Sequence, residues 1–124
     1  MLEGKVILVV DDDLDLSEMY AERFKAEGAV VEIAHDGREA IKLAEENRPH
    51  VILLDLMMPE VNGFEVLKAL KGDDSTKEMP ILVLTALVEA DKYEKAKELG
   101  ADGYVVKSEL MPNEVVEKVK QMLI

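Results

Sequence analysis

Apolar and polar positions along the chain follow two rhythms. Five short runs rich in β-branched residues, Lys5–Val10, Val30–Ala34, Val51–Leu54, Ile81–Thr85 and Gly103–Val106, read as strands. Val9-Val10, Ile52-Leu53-Leu54 and Ile81-Leu82-Val83-Leu84 are continuously apolar, the pattern of strands covered on both faces. Between these runs the spacing changes to three and four. Leu16, Met19, Tyr20 and Phe24 form one stripe, and Val115, Val116, Val119, Met122 and Leu123 form another, each able to lay an amphipathic helix on a sheet. Gly28, Gly72 and Gly100 stand where helices should stop, and Pro49 and Pro80 stand shortly before strands. Strict alternation of strand and helix predicts an α/β fold: a three-layer α/β/α sandwich around a five-stranded parallel sheet. Right-handed crossovers leave a few strand orders, and periodicity does not choose among them. Lys71–Met79 reads as a longer polar loop free to vary, with Asp73 and Asp74 as solvated loop residues.

Size and charge narrow the function. A chain of 124 residues suits a single domain over residues 1–124. With 15 basic and 27 acidic residues its formal charge is −12, a field that repels nucleic acid and anionic membranes, so no direct nucleic-acid binding is expected. The absence of cysteine excludes a disulfide framework, a thiolate zinc site and a cysteine nucleophile, and fits a reducing compartment. No apolar run approaches the ~20 residues that span a bilayer, and the N-terminus lacks the pattern of a signal peptide. The expected location is cytoplasmic, without membrane insertion.

Ligands of open α/β sheets bind beyond the carboxyl ends of the strands, and here those ends are polar. Strand one ends in Asp11-Asp12-Asp13, strand three in Asp55, strand four in Thr85 and strand five in Lys107. Singly, each has an ordinary explanation as a helix cap or a solvated residue, and Asp13, just ahead of Leu14, is read as such an N-cap. Together, carboxylates held close repel one another unless they are protonated or bound to a cation. The natural occupant is a hard divalent ion, Mg²⁺ or Mn²⁺. A cation beside a carboxylate, a lysine and a hydroxyl is also the equipment of phosphoryl transfer, which makes Asp55 a candidate nucleophile. Neither the Gly-x-x-x-x-Gly-Lys-Ser/Thr loop nor Gly-x-Gly-x-x-Gly occurs, so the phosphoryl donor is expected to be small or already activated.

The segments Leu8-Val9-Val10-Asp11-Asp12, Leu53-Leu54-Asp55-Leu56-Met57-Met58-Pro59, Val83-Leu84-Thr85-Ala86 and Gly103-Tyr104-Val105-Val106-Lys107 resemble, in order and spacing, the signature segments of bacterial response-regulator receiver domains. Gly63 and Leu99-Gly100-Ala101-Asp102-Gly103 fit the same family, so the likeness covers essentially the whole chain and is closest to single-domain, chemotaxis-regulator-like receivers. The resemblance implies the flavodoxin-like strand order 2-1-3-4-5. It implies that Asp55 is the phosphoacceptor, charged by a histidine kinase, a phosphotransfer protein or a small donor such as acetyl phosphate. Asp12 and Asp55 would hold the metal directly, Asp11 through water, and Met57 through its backbone carbonyl. Lys107 and the Thr85 hydroxyl would take phosphoryl oxygens. Thr85 and Tyr104 match the family's switch pair, Ala86 and Leu87 border phosphoryl access, and the face from Val88 to Ile124 would carry the output. Such a protein catalyses its own phosphorylation and dephosphorylation and is a switch more than an enzyme. Its expected partners are the kinase and a downstream protein or an output domain outside this chain, with the receiver itself a monomer or weak dimer.

Two departures stand out. Ser108 follows Lys107 where many relatives have proline, which makes a cis peptide there less expected. Met57 and Leu87 are apolar where fast-hydrolysing relatives carry polar groups, which predicts a slowly hydrolysing phosphoaspartate. Pro59 and Gly63 bracket the loop after Asp55, and His35 and His50 read as surface or loop residues. Two rivals remain open: a metal-dependent phosphohydrolase with an aspartyl intermediate, for which no positioned general acid or base is evident, and a flavodoxin-like interaction module that works without phosphorylation.

Overall fold

The computed structural model describes residues 2–58 and 62–123. Pro59, and Ile124 at the end of the expected output face, lie outside the described residues. In chain order the elements are β1 (Val6–Val10), α1 (Leu14–Ala26), β2 (Val30–Ala34), α2 (Gly37–Asn47), β3 (Val51–Leu54), α3 (Gly63–Gly72), β4 (Ile81–Thr85), α4 (Ala90–Glu98), β5 (Gly103–Val106) and α5 (Pro112–Met122). The strand limits match the apolar runs except that β1 begins at Val6, one residue after the expected Lys5. All pairings are parallel and the order is β2-β1-β3-β4-β5, as the resemblance implied.

Side chains that alternate across each strand build two cores. Leu8, Val10, Ile52, Leu54, Ile81 and Val83 face α2, α3 and α4, where Ala40, Ala44, Val66, Leu67, Leu70 and Ala96 meet them. Ile7, Val9, Val51, Leu53, Leu82, Leu84 and Val105 face α1 and α5, where Tyr20, Phe24, Val115, Val116 and Val119 meet them. Fully burying such a side chain stabilises the fold by roughly 1.5–3 kcal/mol relative to leaving it exposed. Alone among the helices, α4 contributes a single buried residue, Ala96. Two rings and a lysine supplement its grip: Tyr93 meets Tyr104 edge-on with centroids 5.3 Å apart, and Lys95 Nζ lies 4.4 Å from the Phe64 ring centroid.

Helix boundaries follow local chemistry. Asp13, Asp36 and Asn62 cap α1, α2 and α3, each side chain accepting the N–H of the residue three further on. Gly28 and Gly100, at φ +92° and +104°, take the left-handed conformation that ends α1 and α4. The end of α2 carries no such mark, because Arg48 itself adopts φ 48° while its guanidinium donates to the Ser75 carbonyl at 2.7 Å.

That contact belongs to a correction. The Lys71–Met79 segment is anchored and not loose. Thr76 is buried and donates its hydroxyl to the Leu70 carbonyl at 2.6 Å, and Met79 enters the core. Lys71 Nζ donates to the carbonyls of Lys77 and Met79 and to Asp102. Asp73 and Asp74 are exposed as expected, with Asp73 bonded to Ser75 and Asp74 paired with Lys77. His35 and His50 are also exposed, although His50 Nδ1 accepts the Val6 N–H at 2.9 Å. Among the described residues no helix is long and apolar enough to cross a membrane.

Candidate functional site

The register of the central strands creates the site. Val10 pairs with Leu54 across β1 and β3, so the residues that follow, Asp11 and Asp55, leave the sheet side by side. This is the point where the chain order reverses, with β2 on one side of β1 and β3 on the other, and it opens the crevice where α/β sheets bind ligands. Gly63 closes the far wall. A Cβ there would collide with the Asp55 carbonyl and with Leu56, so only glycine lets α3 start this close to the end of β3. That constraint is tighter than the helix entry expected from sequence.

Asp11, Asp12 and Asp55 each present a carboxylate oxygen, and these oxygens all lie within 4.8 Å of one another. Asp11 and Asp55 are buried, whereas Asp12 is exposed at the mouth. Lys107, from the end of β5, crosses to them: its Nζ lies 2.9 Å from Asp11 Oδ2 and 3.1 Å from Asp55 Oδ2. Asp11 Oδ1 accepts the Asp13 N–H at 2.9 Å, and Asp55 Oδ1 accepts the Met57 N–H at 3.0 Å. Three carboxylates against one ammonium leave a surplus of negative charge beside the buried pair.

The protonation energetics express that surplus. Burial pushes the Asp55 carboxyl above its ordinary value, and the Asp11 charge pushes the same way, against the Met57 N–H and Lys107. For Lys107, burial pulls down, but the hydrogen bonds and charges of Asp11 and Asp55 together outweigh it and hold the ammonium above its usual value. The proton therefore stays on the lysine while the carboxylates remain crowded, a donor set suited to a hard divalent cation.

Thr85 is fully buried, and its hydroxyl oxygen accepts the Leu87 N–H at 3.3 Å. Tyr104 is half-buried and donates its hydroxyl to the Leu87 carbonyl at 3.0 Å. The two residues of the expected switch pair thus meet through the backbone of Leu87. Ala86 is exposed, Leu87 partly so, and Met57 reaches 54% exposure at the rim. No peptide bond among the described residues is cis, so Lys107–Ser108 is trans, with the Lys107 N–H on the Thr85 carbonyl at 2.7 Å. Asp11, Asp12, Asp55, Met57, Thr85, Ala86, Leu87 and Lys107 follow or end strands at this end of the sheet, whereas Tyr104 stands second in β5, opposite Val83, and reaches them only through its hydroxyl on the Leu87 carbonyl. Tyr20, read from sequence as one member of an apolar stripe, is a core residue of α1, and burial pushes its hydroxyl above the ordinary tyrosine value.

Known proteins match this chain along its length. Residues 7–120 match the response regulator receiver domain. The chain is 37% identical over 120 residues to the phosphate regulon transcriptional regulatory protein PhoB of Pseudomonas aeruginosa, covering 97% of this chain and 52% of that protein. It is 39% identical over 117 residues to the DNA-binding response regulator MtrA of Mycolicibacterium smegmatis, covering 94% and 50%. The chain therefore spans about half the length of the curated relatives it matches. Among solved structures, the chemotaxis protein CheY4 of Vibrio cholerae superposes with a TM-score of 0.87 at 34% identity, covering 94% of this chain and 97% of that one. A CheY-like receiver domain protein from Methanospirillum hungatei gives a TM-score of 0.89 at 28% identity, covering 96% and 93%. On sequence and strand order alike, this chain belongs to the response regulator receiver domain family of two-component signalling.

Proposed function

We propose that this receiver accepts a phosphoryl group on Asp55 with the help of Mg²⁺ or Mn²⁺. The observation that carries the reading is the convergence of the Asp11, Asp12 and Asp55 oxygens within 4.8 Å, with Lys107 bonded to two of the three. Asp12 and Asp55 would hold the ion directly, Asp11 through water, and Met57 through its backbone carbonyl. When bound, the ion neutralises the crowded carboxylates and offsets charge on the transferring group. An Asp55 carboxylate oxygen attacks phosphorus, the donor's bond to phosphorus breaks, and its electron pair leaves with the donor as imidazole or acetate. Lys107 turns from the carboxylates to a phosphoryl oxygen, and Thr85 swings from the Leu87 N–H to donate to another.

That swing is the basis of the switch. Thr85 releases Leu87, whose carbonyl anchors Tyr104, so the Tyr104 ring is freed to rotate inward beneath α4. The light attachment of α4 supports its role in the output face built with β5 and α5. Histidine kinases or phosphotransfer proteins are the proposed donors. Relatives twice as long, one named DNA-binding, support an output domain or downstream protein as the receiver of the signal.

Mass spectrometry after incubation with acetyl phosphate and Mg²⁺ tests the reading. The expected result is one phosphoryl adduct on Asp55, lost in Asp55→Asn and under chelation. Continuous phosphate release over many turnovers would favour the phosphohydrolase, and no adduct would favour the phosphorylation-independent module.

A further inference from the structure

Helix α4 is lightly held, and one of its few grips leads back to Asp55. Ala96 is its one buried residue, and its N-cap, Glu89, makes no side-chain capping bond. Lys95 is exposed, yet its Nζ lies 4.4 Å from the centroid of the Phe64 ring on α3, well within the reach of a cation–π attraction. Among the described residues no carboxylate pairs with this ammonium, so the ring is its specific contact there. Phe64, for its part, is a fixed post. It follows Gly63, whose N–H donates to the Leu56 carbonyl at 3.2 Å and where a Cβ would collide with the Asp55 carbonyl. Asn62 caps the same turn by accepting the Glu65 N–H at 3.1 Å, and Phe64 packs against the core that contains Leu54, Leu56 and Val66. In so dense a setting the ring keeps its place relative to the strand that carries Asp55.

The segment that leads into α4 is free to move by comparison. It passes through Leu87, whose N–H is held by the Thr85 hydroxyl, the bond that the proposed function breaks. We propose that Lys95 is a positioning residue of the switch: its ammonium on the Phe64 ring holds α4 in the arrangement in which Lys107 is bonded to Asp11 and Asp55, and it leaves the ring when α4 shifts on phosphorylation. The contact ties α4 to the phosphoacceptor strand by a route separate from Thr85 and Tyr104. Because it favours the resting arrangement, it lowers the fraction of molecules in the switched one, and the apparent affinity for a phosphoryl group falls by the same factor. The inference rests on Asp55 being the phosphoacceptor.

Lys95→Gln keeps a good helix former and removes the cation. In calorimetric titration with saturating Mg²⁺, the variant is expected to bind beryllofluoride, a phosphoryl mimic, about two- to fivefold more tightly than the parent, the worth of an exposed cation–π contact. A merely structural role would lower stability or weaken binding, and would not tighten it. Lys95→Arg keeps a cation for the ring and should bind as the parent does. Lys92→Gln takes the same charge from the same helix at a side chain that lies 3.9 Å from Asp91, and should bring no gain. Unchanged or weaker beryllofluoride binding by Lys95→Gln would overturn the proposal. An equal gain in Lys95→Arg, in Lys92→Gln or in affinity for Mg²⁺ alone would overturn it too, since the effect would then not come from the ring contact. A parent protein that neither labels on Asp55 nor binds beryllofluoride fails the phosphoacceptor reading itself. A parent that does both, beside an unchanged Gln variant, fails Lys95 alone.

Discussion

Lys71 and Lys107 lie at opposite ends of one sheet and are similarly shielded, at 14% and 19% side-chain exposure, but their acceptors differ in kind. Lys71 Nζ meets the carbonyls of Lys77 and Met79 at 3.1 and 2.8 Å and Asp102 at 2.8 Å, while the same Asp102 oxygen accepts the Ile81 N–H. Those carbonyls are fixed in the backbone, so the lysine ties the end of α3, the following loop and the start of β5 into one unit. Lys107 meets only side-chain carboxylates, and it can leave them for a stronger anion. One end of the sheet uses a lysine to finish the fold, and the other, in the proposed function, holds a lysine in reserve for chemistry. The difference lies in whether the acceptors can be exchanged, since burial is nearly the same.

Replacing each lysine by methionine should break the comparison in opposite ways. Lys107→Met removes a donor aimed at the transferring group and is expected to slow acetyl phosphate labelling about a hundredfold or more. Labelling at the parent rate would show that Lys107 takes no part. Lys71→Met removes the donor shared by the Lys77 and Met79 carbonyls and takes from Asp102 its cation, leaving that carboxylate only the Ile81 N–H, and is expected to cost about 2–3 kcal/mol. In thermal melts that amounts to a loss of roughly 10 °C, with the labelling rate of the still-folded protein unchanged. A variant that melts normally but labels slowly would place Lys71 in the chemistry after all.

Much of this contrast was legible in sequence only at the functional end. Continuous apolar runs located four strands to the residue and β1 within one, because doubly covered strands leave little ambiguity. Given that sheet, the carboxyl-end rule gathers Asp11, Asp55, Thr85 and Lys107 before any coordinates are seen. The amino-end staple was missed. Lys71 and Asp102 are 31 positions apart, and a lysine at the head of a polar loop carries no local sign that it will be buried. Arg48 in a left-handed cap and Lys95 over Phe64 escaped for the same reason, since long-range polar contacts have no period to read. Tyr20 was legible as core.

A third, smaller effect concerns the rim. Met57 and Leu87 present apolar side chains beside the site, and neither can orient an attacking water. Placing Glu at 57 and Asn at 87 is expected to shorten the phosphoaspartate lifetime about tenfold, measured by decay of the mass-spectrometric adduct after donor removal. An unchanged lifetime would mean that access to water is controlled elsewhere.

The smallest effect sharpens the contrast in stability. Burial and the neighbouring Asp11 charge raise the Asp55 carboxyl above its ordinary value, so the folded state binds this proton more tightly than the unfolded chain does. Below the ordinary aspartate range the group is protonated in both states and costs nothing. As pH rises through the folded-state value, the carboxyl ionises in a crowded, buried setting and stability is lost. Asp55→Asn escapes that loss. In chelator at neutral pH the variant is expected to melt a few degrees higher than the parent, about 1 kcal/mol, and the gap should close as pH falls towards 4. Saturating Mg²⁺ should reverse the order, because the cation stabilises the parent's carboxylate and gains less from the amide. If the Asn variant melted lower in chelator, the parent's charge set would already be balanced, and Lys107 would be as structural as Lys71.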